Sequence, residues 1–144
     1  MCTGRFSRIC KSRVFTDPMV GGTSVEVARE MGIEAHGLDL HSGFNILKQR
    51  ILDVVSKPSD LVLSHPPYHN MVVYSGNVWG REAHPDDLSR CASEDEFLDK
   101  LTIALNNQRD ATRAGDYYGA IIGDRRKDGV YSSYQADLIV RMPS

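Results

Sequence analysis

Short apolar runs alternate with segments of helical periodicity along most of the chain. Short runs of β-prone residues are typical of strands, whereas apolar residues that recur every three or four positions indicate helices. The runs predict four strands, at Val14–Thr16, Ala35–Leu40, Leu61–Ser64 and Tyr118–Ile122. The helical patterns predict four helices, at Thr23–Met31, Ile46–Val55, Ser93–Arg113 and Ser132–Val140.

Strands that alternate with helices predict an α/β fold with an open, mostly parallel sheet and helices on both of its faces. The third strand is almost wholly apolar, as expected where both faces of a parallel sheet are covered. Residues 1–144 are expected to form a single domain, with a basic N-terminal arm at 1–13 and an irregular loop at 69–92. Ligands of such sheets bind at the carboxyl ends of the strands, so residues that follow a strand are the first candidates for a site.

The composition is that of an ordinary globular protein, with 41% hydrophobic and 25% charged residues. A net charge of −2 gives no global sign of nucleic-acid binding, so such a role would depend on a local basic patch. The three cysteines, Cys2, Cys10 and Cys91, form no CxxC pair, which favours a reducing, cytoplasmic compartment. No apolar run approaches the roughly 20 residues that span a bilayer, so no membrane partner is expected.

A turn that contains two glycines, Asp17–Ser24, follows the first predicted strand. Glycine lets the backbone approach a ligand closely, and the helix behind the turn offers free N–H groups. Thr23 and Glu26 predict a capping box at the start of this helix. The pattern G-x-G-x-x-G is absent, which argues against a nicotinamide or flavin cofactor. The glycines alone fit a plain strand-to-helix turn equally well.

Asp39 is expected at the end of the second strand, 17 residues beyond Gly22. A carboxylate in this place suits the two hydroxyl groups of a ribose, because its oxygens can accept a hydrogen bond from each. By itself, Asp39 would be interpreted as a surface carboxylate or a turn residue.

A turn with two prolines, Ser64–Tyr68, follows the third strand. Consecutive prolines stiffen the backbone and keep its carbonyl groups out of any sheet ladder. A rigid carbonyl beside an aromatic ring can hold a flat base, since the carbonyl accepts from an exocyclic amine while the ring stacks on the base. The alternative is a rigid loop whose aromatic residue belongs to the local core.

Together the two turns resemble motifs of the amino-group DNA methyltransferases. Asp17–Ser24 is similar to the cofactor motif D-P-x-x-G-x-G-T of that family, and His65–Tyr68 is similar to its catalytic motif D/N/S-P-P-Y/F/W. Gly32–Leu40 also resembles the family's second strand, and the resemblance extends from Val14 to Val140. It implies a Rossmann-like methyltransferase fold, S-adenosylmethionine as cofactor, and methylation of N6 of adenine or N4 of cytosine in DNA, as in restriction–modification.

The resemblance also implies roles for individual residues. Asp39 would bind the ribose hydroxyl groups, and Phe44 and Asn45 would flank the adenine ring of the cofactor. The methionine end of the cofactor would lie against Asp17, Pro18, Gly21 and Gly22. The target base would be surrounded by His65, Pro66, Pro67 and Tyr68.

The sequence departs from the family pattern in two places. His65 stands where the family has Asp, Asn or Ser, and the glycine loop is one residue shorter than the motif. A neutral imidazole has one acceptor nitrogen, so a working variant enzyme is expected. The alternatives are an impaired methyltransferase-like domain that binds cofactor or DNA, and an enzyme that methylates RNA or a protein glutamine amide.

Target recognition has no obvious segment, because only about twenty-five residues separate Asp39 from His65. It is expected to come from the loop around Tyr74 and Trp79, from a homodimer or a separate specificity subunit, or from sequence missing from this chain. The basic run Arg125–Lys127 either contacts phosphates or is simply solvated.

A zinc site is not expected. His65 and His69 are four residues apart, but Pro66 and Pro67 prevent the helix that an H-E-x-x-H site requires. No cysteine pair supports a metal either, and neither do His41 and His84.

Overall fold

The computed structural model describes residues 12–19, 22–78 and 82–142. The predicted basic arm, apart from Ser12 and Arg13, lies outside these ranges, as do Gly21 and Trp79. The described strands are β1 Val14–Asp17, β2 Glu34–Gly37, β3 Ser59–Ser64, β4 Thr112–Ala120, β5 Arg125–Lys127 and β6 Val130–Ser132. The described helices are α1 Thr23–Glu30, α2 Ile51–Val54, α3 Glu94–Asp110 and α4 Tyr134–Arg141.

The first four strands form one parallel sheet in the order β2-β1-β3-β4. Residues of β3 alternate between its two faces: Val62 packs in the cluster that includes Phe97 and Leu101 of α3, whereas Leu61 and Leu63 pack against the cluster that includes Val25 of α1. Helices therefore cover both faces, and the predicted α/β fold with an open parallel sheet is confirmed.

At the amino end of the sheet, one buried carboxylate of β3 connects the two neighbouring strands. Asp60 Oδ2 accepts hydrogen bonds from the backbone N–H groups of Arg13, at 2.7 Å, and Val14, at 2.9 Å. Asp60 Oδ1 forms an ion pair with Arg113, at the start of β4. A single side chain of β3 thus holds both neighbouring strands.

Strand β4 carries an irregular stretch near this end. Ser59 pairs with Thr112, but Leu61, only two residues on, pairs with Tyr117. The extra residues of β4 form an exposed bulge that contains Gly115 at a φ of 87°, in the left-handed region that favours glycine. The predicted helix end at Arg113 was wrong, because α3 ends at Asp110 and β4 begins at Thr112.

Two predicted helix starts had different outcomes. Ser93, where the predicted helix begins, caps α3, since its Oγ accepts the Glu96 N–H at 3.1 Å. The capping box at Thr23 was wrong: Gly22 is the N-cap of α1, and its carbonyl accepts the Glu26 N–H at 3.1 Å. Gly22 has a φ of 98°, so the chain enters the helix through a conformation that a threonine would adopt only with strain.

The second predicted helix, Ile46–Val55, is helical only over its C-terminal part, α2. Asn107 of α3 explains the difference, since its Nδ2 donates to the carbonyls of Ile46, at 2.9 Å, and Gln49, at 2.7 Å. Its Oδ1 accepts the Ile51 N–H at 3.0 Å. A distant side chain therefore takes the place of the intrahelical bonds that the sequence pattern indicated.

The second strand is also shorter than predicted, because it ends at Gly37 and leaves Asp39 in the following turn. Within 69–92 the described residues form only short turns, at His69–Met71, Tyr74–Val78 and Leu88–Arg90. The segment after β4, for which no strand was predicted, contains the antiparallel hairpin β5–β6. No helix in the described parts of the chain is both long and apolar enough to cross a bilayer.

Candidate functional site

The candidate site is a cavity of about 650 Å³ at the carboxyl end of the parallel sheet. Strand β1 lies between β2 and β3. The chain therefore leaves β1 toward β2 on one side and later returns to form β3 on the other side. Crevices at such a reversal of strand order are the usual ligand sites of open α/β sheets. The predicted site residues that line it are Asp17, Pro18, Asp39, Phe44, Asn45, His65 and Pro67. Gly22, Pro66 and Tyr68 do not line it.

Asp17, at the end of β1, shapes the turn that follows it. Its Oδ1 accepts the Met19 N–H at 3.1 Å, and its Oδ2 accepts the Ser24 hydroxyl proton at 2.6 Å. Burial raises the pKa of the Asp17 carboxyl above its ordinary value, although the hydrogen bonds from Ser24 and Met19 oppose this shift. Both oxygens are used within the protein, so Asp17 positions the turn more than it offers a free ligand.

The first turn of α1 faces the cavity through Thr23 and Ser24. Backbone N–H groups in the first turn of a helix have no partner within that helix, and they carry its positive pole. The N-cap conformation of Gly22 brings the chain into this turn directly after the Asp17 loop. The cavity therefore borders on a helix end that favours a negatively charged or carbonyl group of a ligand.

Asp39 differs from Asp17 in having one oxygen without a protein donor. Its Oδ1 accepts the Ser42 N–H at 2.6 Å, and its backbone carbonyl accepts the Phe44 N–H at 2.9 Å. No described residue donates a hydrogen bond to Oδ2. The side chain is half-buried at the cavity wall, so Oδ2 can accept from a ligand hydroxyl.

Phe44 and Asn45 form the adjoining wall. Phe44 is buried in the core cluster that includes Phe97 and Leu101, and it also contacts the cavity. Asn45 holds the wall together, since its Nδ2 donates to Asp86 Oδ2 at 2.7 Å and its Oδ1 accepts the Leu47 N–H at 3.0 Å. The hydrogen bond from Lys48 lowers the pKa of the Asp86 carboxyl.

The proline turn continues directly from β3. Ser64 is buried at the cavity, where its Oγ accepts from Gln108 Nε2 at 2.7 Å and its carbonyl accepts the Ile121 N–H at 2.8 Å. His65 and Pro67 reach the cavity, whereas Pro66 is fully buried. A hydrogen bond of 2.9 Å joins His65 Nε2 and the Tyr68 hydroxyl.

The Tyr68 ring lies beside the cavity, not in its wall. A Cβ atom on Gly123 would be 3.8 Å from Tyr68 Cζ, so the ring packs against the chain that leaves β4. The ring centroids of His65 and Tyr68 are 5.5 Å apart in an edge-on arrangement. The predicted catalytic pair is therefore brought together, but its two side chains contact each other in this conformation.

Most of the wall that faces these turns was not predicted from the sequence. This wall comes from Tyr74, Ser75, Glu82, His84, Asp86, Asp87 and Leu88. Buried Asp87 fixes it, since Oδ2 accepts the Ser75 N–H at 2.7 Å and Oδ1 accepts the Ser89 N–H at 2.9 Å. Burial raises the pKa of Asp87, but the hydrogen bonds from Ser75 and Ser89 outweigh it, so the pKa lies below its ordinary value. Of this wall, Tyr74 was named from the sequence as part of a recognition loop and His84 only in connection with zinc.

The cavity is lined by carboxylates and by no lysine or arginine of the described residues. Five acidic residues contribute to it: Asp17, Asp39, Glu82, Asp86 and Asp87. A lining of this sign favours a cationic ligand and opposes the entry of a phosphate group. Among the described residues, no three His, Cys, Asp or Glu side chains are grouped so that they could hold a metal ion.

Comparison of the chain with protein-family models, with curated proteins and with solved structures found no match.

Proposed function

We propose that this protein is an S-adenosylmethionine-dependent methyltransferase that methylates an exocyclic amino group of a base in DNA, N6 of adenine or N4 of cytosine. The observation that supports this most directly is the meeting of three predicted elements in one cavity. The Asp17 turn, Asp39 and the His65–Pro67 turn all line it, although they come from three separate strand ends.

The cavity fits the proposed cofactor in size and charge. Its volume of about 650 Å³ lies within the range of pockets that take drug-sized ligands. The free Oδ2 of Asp39 suits a ribose hydroxyl, and Phe44 offers an apolar wall for an adenine ring. The carboxylate lining suits the positive sulfonium, and the first turn of α1 suits the methionine carboxylate.

S-Adenosylmethionine supplies an electrophilic methyl group. The acceptor nitrogen is a poor nucleophile, because its lone pair is delocalised into the base. A ring nitrogen of His65 and the carbonyls of the proline turn would accept hydrogen bonds from the amino group and localise the lone pair, which requires His65 to release the Tyr68 hydroxyl. Transfer would exchange the sulfur–methyl bond for a nitrogen–methyl bond, and the proton lost from the nitrogen would pass to the acceptor nitrogen of His65. Alignment of the two groups would supply much of the rate.

One observation favours a second candidate function, a cofactor-binding domain that transfers no methyl group. His65 and Tyr68 hydrogen-bond to each other, and the Tyr68 ring does not face the cavity. If this arrangement persists with ligand bound, no aromatic face is presented to a base. Cofactor binding without transfer to DNA, RNA or a protein amide would select this second function.

Calorimetry with S-adenosylmethionine tests the binding half of the proposal. Asp39→Asn keeps an acceptor for the Ser42 N–H but replaces the free carboxylate oxygen with an amide, so affinity should fall by about 10- to 100-fold. Asp53→Asn is the matched control, because Asp53 is an exposed acid on α2 outside the cavity. This variant should bind S-adenosylmethionine as tightly as the wild type. If the wild type and both variants bind S-adenosylmethionine equally tightly, Asp39 does not bind the cofactor.

Transfer of a labelled methyl group tests the catalytic half. Wild-type protein should label duplex DNA in preference to RNA or a glutamine peptide. His65→Asn restores a residue type of the family motif and should at least preserve the rate. Labelling of RNA or peptide alone would contradict DNA as the substrate.

A further inference from the structure

The segment Arg125–Lys127 forms the first strand of a small hairpin beside the cavity. Arg125 pairs with Ser132, Arg126 with Tyr131 and Lys127 with Val130 across the two strands. The turn is Asp128–Gly129, with φ values of 52° and 81°, the positive values that a two-residue hairpin turn of this kind requires. The basic run is therefore built into regular structure.

Glu94, the first residue of α3, anchors both strands of the hairpin. Its Oε1 accepts from Arg125 Nη1 at 2.7 Å, and its Oε2 accepts from the Ser132 hydroxyl at 2.8 Å. Arg125 Nη2 also donates to Asn70 Oδ1 at 2.8 Å. Arg125 is buried by these contacts, so it positions the hairpin and is not available as a surface charge.

Arg126 and Lys127 remain exposed, and neither forms an ion pair with a described residue. They line a depression of about 310 Å³ together with Asn70, Met71, Asp124 and Arg125. The Asp124 carboxylate accepts hydroxyl protons from Tyr131 and Ser133, and Arg125 is offset by Glu94. Asp124 keeps its negative charge, but Arg126 and Lys127 bring two positive charges, so the depression has a net positive surface, in contrast to the carboxylate-lined cavity.

Two chain segments join the depression to the cavity. His65 and Pro67 line the cavity, while Asn70 and Met71, a few residues on, line the depression. In the second segment, Ile121 lines the cavity and Asp124 lines the depression. The Tyr68 ring lies against Gly123, between these two residues. The depression therefore borders the cavity along both segments.

We propose that the hairpin and its depression bind the phosphate backbone of a nucleic-acid strand whose base enters the adjoining cavity. The inference rests on the proposed function and adds to it the surface that holds the substrate. The exposed Tyr131 ring, which lies opposite Arg126 on the hairpin, adds a stacking surface, and a cation beside an exposed aromatic is typical of single-strand binding. The division of charge keeps phosphates out of the cavity and binds them beside it.

Fluorescence anisotropy with labelled single-stranded and duplex oligonucleotides, over a range of salt concentrations, tests this inference. The double variant Arg126→Ala/Lys127→Ala should weaken binding at low salt by at least about tenfold. It should also make the slope of log affinity against log salt shallower by roughly 1.5 to 2 units, because two phosphate contacts are lost. The matched control Arg50→Ala/Lys57→Ala removes two exposed charges away from the hairpin and should keep the wild-type affinity and slope.

Tyr131→Ala should weaken binding to the single strand at high salt, where the charge contribution is screened. Equal affinities and slopes for the hairpin variant and the control would overturn the inference, and so would absence of nucleic-acid binding by the wild type. An acidic peptide bound as tightly as the oligonucleotides, with the same loss in the double variant, would also overturn it. Cofactor affinity is measured separately by calorimetry, so its loss would contradict the proposed function without affecting this outcome.

Discussion

The two ends of the parallel sheet use their carboxylates in opposite ways. At the amino end, Asp60 accepts from two backbone N–H groups and pairs with Arg113, so both of its oxygens are bound by the protein. At the carboxyl end, Asp39 uses one oxygen to hold its own turn and leaves the other free at the cavity. The carboxylate at the amino end is therefore taken up by contacts within the protein, whereas the one at the carboxyl end keeps an acceptor free.

Asp17 is intermediate between these two carboxylates. It lies at the carboxyl end, yet both of its oxygens accept hydrogen bonds from the glycine turn. A position beside a cavity is therefore not enough to make a carboxylate a ligand group. The number of hydrogen bonds that it already accepts from the protein distinguishes a carboxylate that holds a turn from one that is free to bind a ligand.

Asp60→Ala should cause the largest change in stability. It leaves the N–H groups of Arg13 and Val14 without an acceptor and removes the partner of Arg113, so the free energy of unfolding should fall by about 3 kcal/mol. Urea denaturation followed by circular dichroism measures this, with Asp53→Ala as the exposed control. The folded Asp60→Ala protein should keep wild-type cofactor affinity, and a loss of affinity equal to that of Asp39→Asn would break the division between the two ends.

Gly22→Ala should have the next largest effect. A φ of 98° is unfavourable for alanine, and the free energy of unfolding should fall by about 1–2 kcal/mol. Gly32→Ala is a matched control, because Gly32 has a φ of 75°, and at both positions an added Cβ would meet no atom within 4 Å. Both variants should lose similar stability, but only Gly22→Ala should weaken cofactor binding. Equal cofactor affinities would show that the turn before α1 does not shape the site.

Carboxyl titrations should show the smallest but most direct contrast. Burial raises the pKa of Asp60, but the N–H groups of Arg13 and Val14 outweigh it, so its pKa lies below the ordinary 3.8. The pKa of Asp17 is raised above 3.8, mainly by burial. As the pH falls through the pKa of folded Asp60, its stabilisation is lost, whereas ionised Asp17 costs stability as the pH rises above 3.8. Carbon-13 NMR of the side-chain carboxyls should give Asp60 the lower pKa; the reverse order would contradict the assignment.

The strands and the meeting of the two turns could be predicted because they depend on local signals. Apolar runs such as Leu61–Ser64 mark buried parallel strands, and the parallel arrangement itself brings their carboxyl ends to one edge. The hairpin also has a local signal, since Asp128–Gly129 directly before the β-prone Val130 and Tyr131 is typical of a two-residue turn.

The remaining parts depend on contacts between distant residues. The cavity wall is positioned by hydrogen bonds such as Ser75 N–H to Asp87 and Asn45 to Asp86, which no sequence period reveals. The second helix is shortened because Asn107, in α3, binds the carbonyl of Ile46. The Tyr68 orientation likewise depends on its packing against Gly123, which has no signal in the motif.

The bulge in β4 has a practical consequence for handling the protein. Ala114 and Gly115 are exposed, and an added Cβ at Gly115 would meet no atom within 4 Å. The bulge lies near the amino end of the sheet, whereas the cavity lies at the carboxyl end. Exposed stretches of this kind tolerate inserted sequence well. A short peptide tag or a fluorophore spliced after Gly115 would therefore allow the protein to be immobilised or observed with its ligand entrance unobstructed.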